Sequence, residues 1–397
     1  MVHDFHNRVT TFPFSLSLSP GLPHRNSRSF GFSARRTRDA MSSPPSPSFP
    51  TIRWPRLLSL LLFFFLVLTY GALGGGRHVM TIPSSTFRSP RALAWDPTAQ
   101  HFLVGSSLFP AALASVSDAG VTETLVFDPI LPAQSSVAAL AVDDRRRRLL
   151  VGLTNPSALA AYDLRSPRPH RRIFLSPLPD PSAALGGVAV DHSTGAAFVT
   201  AGSVVVKVDL DGAVSVLSRS TIFSADPSSE GLGGLVHGRN AYLLVAERGG
   251  AGRVFRVDDE NGGTKEVLGK ALASAAEGIA LRADGGAVMA RGGAGARWLR
   301  SRDAWSEAVI EDEAAVEEGW LATAVAVREG RRAYVLVTPA EEGGGEKGSR
   351  IEEVEWRKER EEDTVWLFVL IGAGFAIFLY WRYQMRQLVA NMNKKIA

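Results

Sequence analysis

The chain has 397 residues, 45% of them hydrophobic, enough to bury one large core or two smaller ones. It contains no cysteine, which excludes disulfide frameworks, thiolate metal sites and cysteine nucleophiles. The net charge is only +4, and residues 1–56 hold eight Arg, no Lys and two acids, so the charge gives no support to a nucleic-acid partner.

Residues 1–56 are rich in Ser, Pro and Arg and lack periodicity, which predicts a disordered leader, with Met41 as an alternative start. Residues 57–73 (LLSLLLFFFLVLTYGAL) carry no charge and follow Arg53 and Arg56. This predicts a signal peptide or an uncleaved signal anchor over 57–76, with the small residues Ala72 and Gly74 permitting cleavage. Phe63, Phe64 and Phe65 inside a Leu run leave no polar face, which argues against a buried globular helix. An organellar transit peptide would share the Arg- and Ser-rich, acid-poor leader, but the long apolar run favours the secretory route.

Residues 77–357 carry a six-fold repeat. Its clearest segments are PRALAWD (90–96), VAALAVD (137–143), LGGVAVD (185–191), GLGGLVH (231–237), EGIALRAD (277–284) and LATAVAVR (321–328). The turn residues Asp96, Asp143, Asp191, His237, Asp284 and Arg328 stand 47, 48, 46, 47 and 44 residues apart. Short strands at such a period predict an all-β chain, a six-bladed β-propeller. The second blade resolves into strands over 137–142, 149–153, 158–163 and 171–175, and the third over 187–190, 196–200, 204–210 and 214–217. Inner strands are small and apolar because they crowd around the axis with neighbours on both faces. The last blade supplies three strands, over 322–327, 333–337 and 350–355, so HVMTI at 78–82 is expected to add the fourth and close the ring. EEGGGEKGS at 341–349 then forms a mobile loop.

Several local motifs invite chemistry and are better read as structure. Gly249-Gly250-Ala251-Gly252 and Gly292-Gly293-Ala294-Gly295 recur at one place in adjacent blades and lack the Lys-Ser/Thr of a phosphate loop, so they are turns. Residues 145–148, four arginines, read as a solvated hairpin tip, and His237 as a surface residue. The eight histidines show no zinc spacing, and no G-x-S-x-G elbow is present.

After a charged linker at 358–363, residues 364–381 are uncharged and aromatic at both ends. At 1.5 Å per residue such a helix reaches about 27 Å, enough for a thin bilayer. The tail at 382–397 holds Arg382, Arg386, Lys394 and Lys395 and no acid, whereas 357–363 mixes three bases with four acids. The positive-inside rule places this tail in the cytosol, and the N-terminal signal independently places the propeller in the lumen. Lys394-Lys395-Ile396-Ala397 resembles the dilysine retrieval signal that coatomer reads, which implies residence in the endoplasmic-reticulum membrane. Another endomembrane or the plasma membrane is the alternative.

The blade pattern, a lead residue followed by a small apolar strand, Asp, a turn and a second strand, resembles the six-bladed senescence-marker-protein/gluconolactonase enzymes. NHL-repeat and strictosidine-synthase-like propellers are related in style. The resemblance implies one divalent cation, usually calcium, held on the axis by a Glu in an E-G-P motif, two Asn in N-G motifs and an Asp. The lead positions here, seven residues before each turn residue, are Ser89, Ser136, Ala184, Glu230, Glu277 and Leu321. Arg88-Ser89-Pro90 stands in place of E-G-P, and no N-G occurs at any lead position. The candidate metal ligands are therefore Glu230 and Glu277, with Ser89 and Ser136 as hydroxyl ligands, and no catalytic residue is assigned.

Three functions follow. The first is a non-catalytic binding or scaffold module with a protein or small-molecule ligand at the channel face. The second is a calcium-dependent lactonase or esterase in which the metal polarises a carbonyl. The third is strictosidine-synthase-like condensation, for which Glu277 is the candidate base. Whether the chain is an enzyme is left open by the sequence. The retrieval motif gives a direct expectation: changing Lys394 and Lys395 to Ser should release a tagged protein with a free C-terminus to later compartments, and an unchanged location would refute the signal.

Overall fold

Among the described residues, short apolar runs separated by turn residues build twenty-four strands, β1 to β24 in chain order, in six four-stranded antiparallel sheets. The computed structural model describes residues 77–126, 128–274, 276–340 and 348–396. The leader at 1–56, the apolar segment at 57–76 and the loop residues 341–347 lie outside the described residues.

Each sheet is one propeller blade. The second consists of Ser136–Asp143, Arg148–Thr154, Ala158–Asp163 and Arg171–Pro177, each matching an expected strand with ends one or two residues longer or unchanged. The inner strand of the third blade, β10 (Leu185–Val190), is buried throughout, whereas the outer strand of the second, Arg171–Pro177, is mostly exposed or half-buried. This explains the apolar inner segments: only the outer strand of a blade has a face toward water. Six core clusters fill the spaces between consecutive blades, so each sheet is stabilised by the sheet beside it.

The ring closes between chain ends. β1 (Val79–Ile82) runs antiparallel to β24 (Ser349–Glu353) in the last blade, pairing Val79 with Glu352 and Ile82 with Ser349. Met80 and Ile82 are 1% and 0% exposed and join the cluster that packs the last blade against the first.

Five of the six inner strands share an irregularity, and only Gly278–Leu281 of the fifth blade pairs without one. Ladder register slips between Pro90 and Ala92, Val137 and Ala139, Leu185 and Gly187, and Ala322 and Ala324. In the fourth blade, β14 (Ser229–Gly238) slips between Ser229 and Leu232 and again before Leu235. The residues passed over in the first four cases are Arg91, Ala138, Gly186 and Thr323. A bulge leaves one residue outside the pairing and re-aims its side chain.

After β24 the chain enters a single helix, α1 (Arg357–Ile396). Trp356, just before it, is 3% exposed, and its ring lies 5.8 Å from that of Trp298. Within α1, Phe368–Lys394 is long and apolar enough to cross a membrane.

The closure can be tested directly. Burying Met80 and Ile82 contributes about 1.5–3 kcal/mol each, and β1 covers what would otherwise be an open strand edge. Deleting residues 78–82 from the full-length chain should lower its melting temperature and promote self-association. A monomer melting at the parental temperature would show that β1 is dispensable.

Candidate functional site

A cavity of about 240 Å³ lies where the six blades converge, and every blade contributes to its wall. Blade one supplies Arg91 and Ser107; blade two, Ser136, Val137, Ala138 and Thr154; blade three, Ala184, Leu185 and Gly186. Blades four, five and six add Arg248, Glu277 and Thr323. Arg91, Ala138, Gly186 and Thr323 are the four bulge residues, so the slipped register turns these positions onto the axis.

Of the four residues that sequence reasoning placed at a metal, Glu277 and Ser136 line this cavity. Glu230 and Ser89 are exposed and are not part of its lining. Glu230 lies beside Gly249, where an added Cβ would sit 3.2 Å from the Glu230 Cγ. Ser89 faces its own blade through its carbonyl, which accepts the Ser107 N–H at 3.0 Å and hydroxyl at 3.1 Å. Ser136 Oγ is 2.8 Å from Thr154 Oγ1, so one of these hydroxyls donates to the other. Thr323 Oγ1 donates to the Leu336 carbonyl at 3.3 Å.

The charged groups of the lining are two arginines and one glutamate. Glu277 Oε2 is 3.4 Å from Arg91 Nη2, with the two side chains 32% and 52% exposed. Arg248, near the end of β15 (Tyr242–Gly249), has no hydrogen bond or ion pair among the described residues, and its Nε is buried without a partner. An unsatisfied buried donor costs about 1–3 kcal/mol. The corresponding arginine one blade on, Arg291, precedes the second G-G-A-G turn and is tethered. It donates to the Ser274 carbonyl at 2.8 Å and lies 3.3 Å from Glu313.

Sequence reasoning singled out neither Arg91 nor Arg248, because it followed the lead positions. The available signal was placement: Arg91 stands two residues after a lead position, and Arg248 immediately before a glycine turn shared with Arg291. The two G-G-A-G segments are indeed turns, with positive φ at Gly249, Gly250, Gly252, Gly292 and Gly295.

The opposite ends of the inner strands show a different chemistry. Residues 145–148, expected to be a solvated tip, instead staple three blades together. Arg147 bonds Asp96 of the first blade through both terminal nitrogens, at 2.6 and 2.9 Å. Arg148, 5% exposed, donates to Asp143 at 2.8 Å and to the Gly195 carbonyl of the third blade at 2.8 Å. Arg146 reaches the His192 and Ser193 carbonyls. Four adjacent arginines look like a solvated charge run, but neighbouring blades present acids and carbonyls within reach of three of them.

His237 also departs from its expected surface position. Its side chain is 10% exposed, stacks on Phe198 with ring centroids 5.6 Å apart, and lies 2.7 Å from Asp259 through Nε2. Ligand atoms of Asp191, His237 and Asp259 come within 4.8 Å of one another. Asp191, however, already accepts from the N–H and hydroxyl of both Ser193 and Thr194. Its lone pairs are committed to its own turn, so Asp191 caps that turn beside the His237–Asp259 pair.

No family model matches the chain, and no curated protein matches it. Solved structures do. The Malassezia sympodialis allergen Mala s 1 is 16% identical with a TM-score of 0.56, over 70% of this chain and 96% of that one. A glucose dehydrogenase is 14% identical with a TM-score of 0.52, over 70% and 99% of the two chains. The soluble aldose sugar dehydrogenase of Escherichia coli is 13% identical with a TM-score of 0.51, over 71% and 100%. At these identities the likeness concerns the fold.

The stapled face should make the domain acid-sensitive. Burial works to raise the Asp96 carboxyl, but the Arg147 guanidinium and the Ala99 N–H overcome it and hold the group below its ordinary 3.8. A depressed carboxylate contributes stability above its unfolded value and loses it as pH falls through the folded value. Stability should therefore decline below about pH 4. Asp96→Asn should cost about 1–3 kcal/mol at neutral pH and flatten that decline, as read from melting temperatures between pH 7 and 3. An equally steep acid decline in the variant would remove Asp96 from this role.

Proposed function

We propose that the chain is a membrane-anchored, non-catalytic binding module that holds a small ligand in the axial cavity of its propeller. The observation that carries this reading is the state of the one lining carboxylate. Glu277 is paired with Arg91, and a second guanidinium, Arg248, faces the same space. A hard cation needs several converging oxygens free of competing positive charge. Here it would meet a single carboxylate with two guanidinium groups beside it, whose repulsion is felt in a partly desolvated cavity.

The lactonase or esterase reading requires a cation, and a ligand set of Glu230, Glu277, Ser89 and Ser136 would have half its members outside the cavity. The condensation reading requires a Glu base in an apolar enclosure, whereas Glu277 sits among arginines and hydroxyls. That similarly shaped propellers include a glucose dehydrogenase and an aldose sugar dehydrogenase is compatible with small-molecule binding on the axis. The apolar stretch of α1 supports anchoring in a membrane. The basic tail and the N-terminal apolar run support a lumenal propeller in the endoplasmic reticulum, with coatomer reading Lys394 and Lys395.

A calcium titration of the detergent-solubilised full-length protein decides between binding module and hydrolase. At 100 times Kd a bound ion stabilises the fold by about 2.7 kcal/mol, which a thermal melt resolves. The expected outcome is no shift at millimolar calcium and no lactone or aryl-ester turnover above background. A saturable shift that disappears in Glu230→Gln or Glu277→Gln, together with turnover, would establish the hydrolase instead.

A further inference from the structure

We infer that the axial cavity binds an oxyanion, the carboxylate or phosphate group of a small polar molecule, and that Arg248 is its principal contact. This deepens the binding-module reading and rests on the axial cavity being the ligand site.

Four observations converge. Arg248 lines the cavity, has no hydrogen bond or ion pair among the described residues, and keeps its Nε buried without a partner. Its counterpart Arg291, at the same point of the next blade, is held by a carbonyl and a carboxylate. The scaffold therefore tethers an arginine at this position in one blade and leaves Arg248 open to the axis in the other. Second, the Arg91–Glu277 contact of 3.4 Å is long for a charge-assisted hydrogen bond, which closes to about 2.7–2.9 Å. Arg91 thus retains donors that a ligand oxygen can take. Third, two guanidinium groups against one carboxylate leave the lining with a net positive charge. Fourth, the Ser136–Thr154 pair keeps one hydroxyl proton for a ligand oxygen, and Ser107 and Thr323, whose protons go to carbonyls, keep lone pairs for the donors of such a molecule's polar remainder.

The planar fork of a guanidinium matches carboxylate and phosphate oxygens two at a time, so both classes meet the same recognition chemistry. Glu277 tempers the site. By holding Arg91 loosely it limits the positive field when no ligand is bound, and an arriving anion competes with it for that arginine.

The test is a thermal-melt titration of the detergent-solubilised full-length protein with potassium phosphate and with potassium acetate. Potassium chloride at matched ionic strength serves as the control. Saturable stabilisation by phosphate, acetate or both, absent in chloride, is expected, and the stronger of the two arms identifies the ligand group. Arg248→Gln should weaken that response by about ten-fold or more, the worth of a lost charge-assisted bond. Glu277→Gln, which frees Arg91, should strengthen it. Equal responses to all three salts, or an undiminished response in Arg248→Gln, would overturn the proposal. If Arg248→Gln loses the parental tryptophan emission and is misfolded, Glu277→Gln decides alone, since unchanged or weaker anion affinity there overturns the proposal. A parallel calcium arm separates the two readings. Flat anion and flat calcium titrations sink only the oxyanion site, whereas calcium stabilisation lost in Glu277→Gln sinks the binding-module reading as well.

Discussion

A Cβ on Gly186 would lie 2.3 Å from the Leu232 carbonyl oxygen, and one on Gly234 would lie 2.9 Å from the Ile279 nitrogen. Between the third, fourth and fifth blades the inner strands thus approach backbone to backbone, closer than any side chain permits. That approach sets the diameter of the centre, and the rest of the molecule accommodates it. Inner strands carry small residues, larger apolar side chains fill the widening wedges between sheets, and polar residues gather on the outer strands. Gly152 and Gly105 extend the same constraint one strand outward. A Cβ on either would run into the next blade's first strand, at Leu185 and Val137 respectively. Such contacts tolerate no added methyl group without displacement of the neighbour.

The slipped register answers the same crowding. A regular ladder would alternate side chains between the two blade interfaces, with none directed along the axis. Passing over one residue near the start of an inner strand frees that residue from alternation. Where it is Gly186 or Ala138, the wall is simply smooth; where it is Arg91 or Thr323, the axis gains a functional group. The bulges at Arg91 and Thr323 thus add to the charged and polar groups that Arg248 and Glu277 bring to the cavity.

This explains which features could be read from the sequence. The repeat, the small inner strands, the glycine turns and the closing strand at 78–82 are imposed by packing, so each leaves a periodic trace. Lead positions are periodic too, and they led to Glu277 and Ser136. The bulges are not visible as periodicity, because PRALAWD and VAALAVD look like uninterrupted strands, and Arg91 within the first looks like an outward-facing residue. Arg248 escaped for a related reason, since it stands at the exit of a second strand in a run it shares with Arg291. The partners of Arg146, Arg147 and Arg148 lie roughly fifty residues away in neighbouring blades, beyond any local pattern.

The two ends of the propeller thus use arginine in opposite ways. At the turn end Arg146, Arg147 and Arg148 each meet a carboxylate or carbonyl of a neighbouring blade. Arg328 does the same across the closure, bonding Asp118 at 2.6 Å and lying over the Trp95 ring. These charges are spent on joining sheets, and their removal would loosen the ring. At the axial end Arg248 joins nothing, so its desolvation is not repaid within the protein. The scaffold can pair an arginine at this point of a blade, as Arg291 demonstrates. Alanine and leucine at two of the six lead positions offer no side-chain oxygen, and serine at two more offers only a neutral hydroxyl. Arginine at the first bulge and at the end of β15 adds two positive charges to the same lining. Guanidinium and hydroxyl donors, rather than a ring of carboxylates, therefore line the axis, which is the chemistry the proposed oxyanion would need.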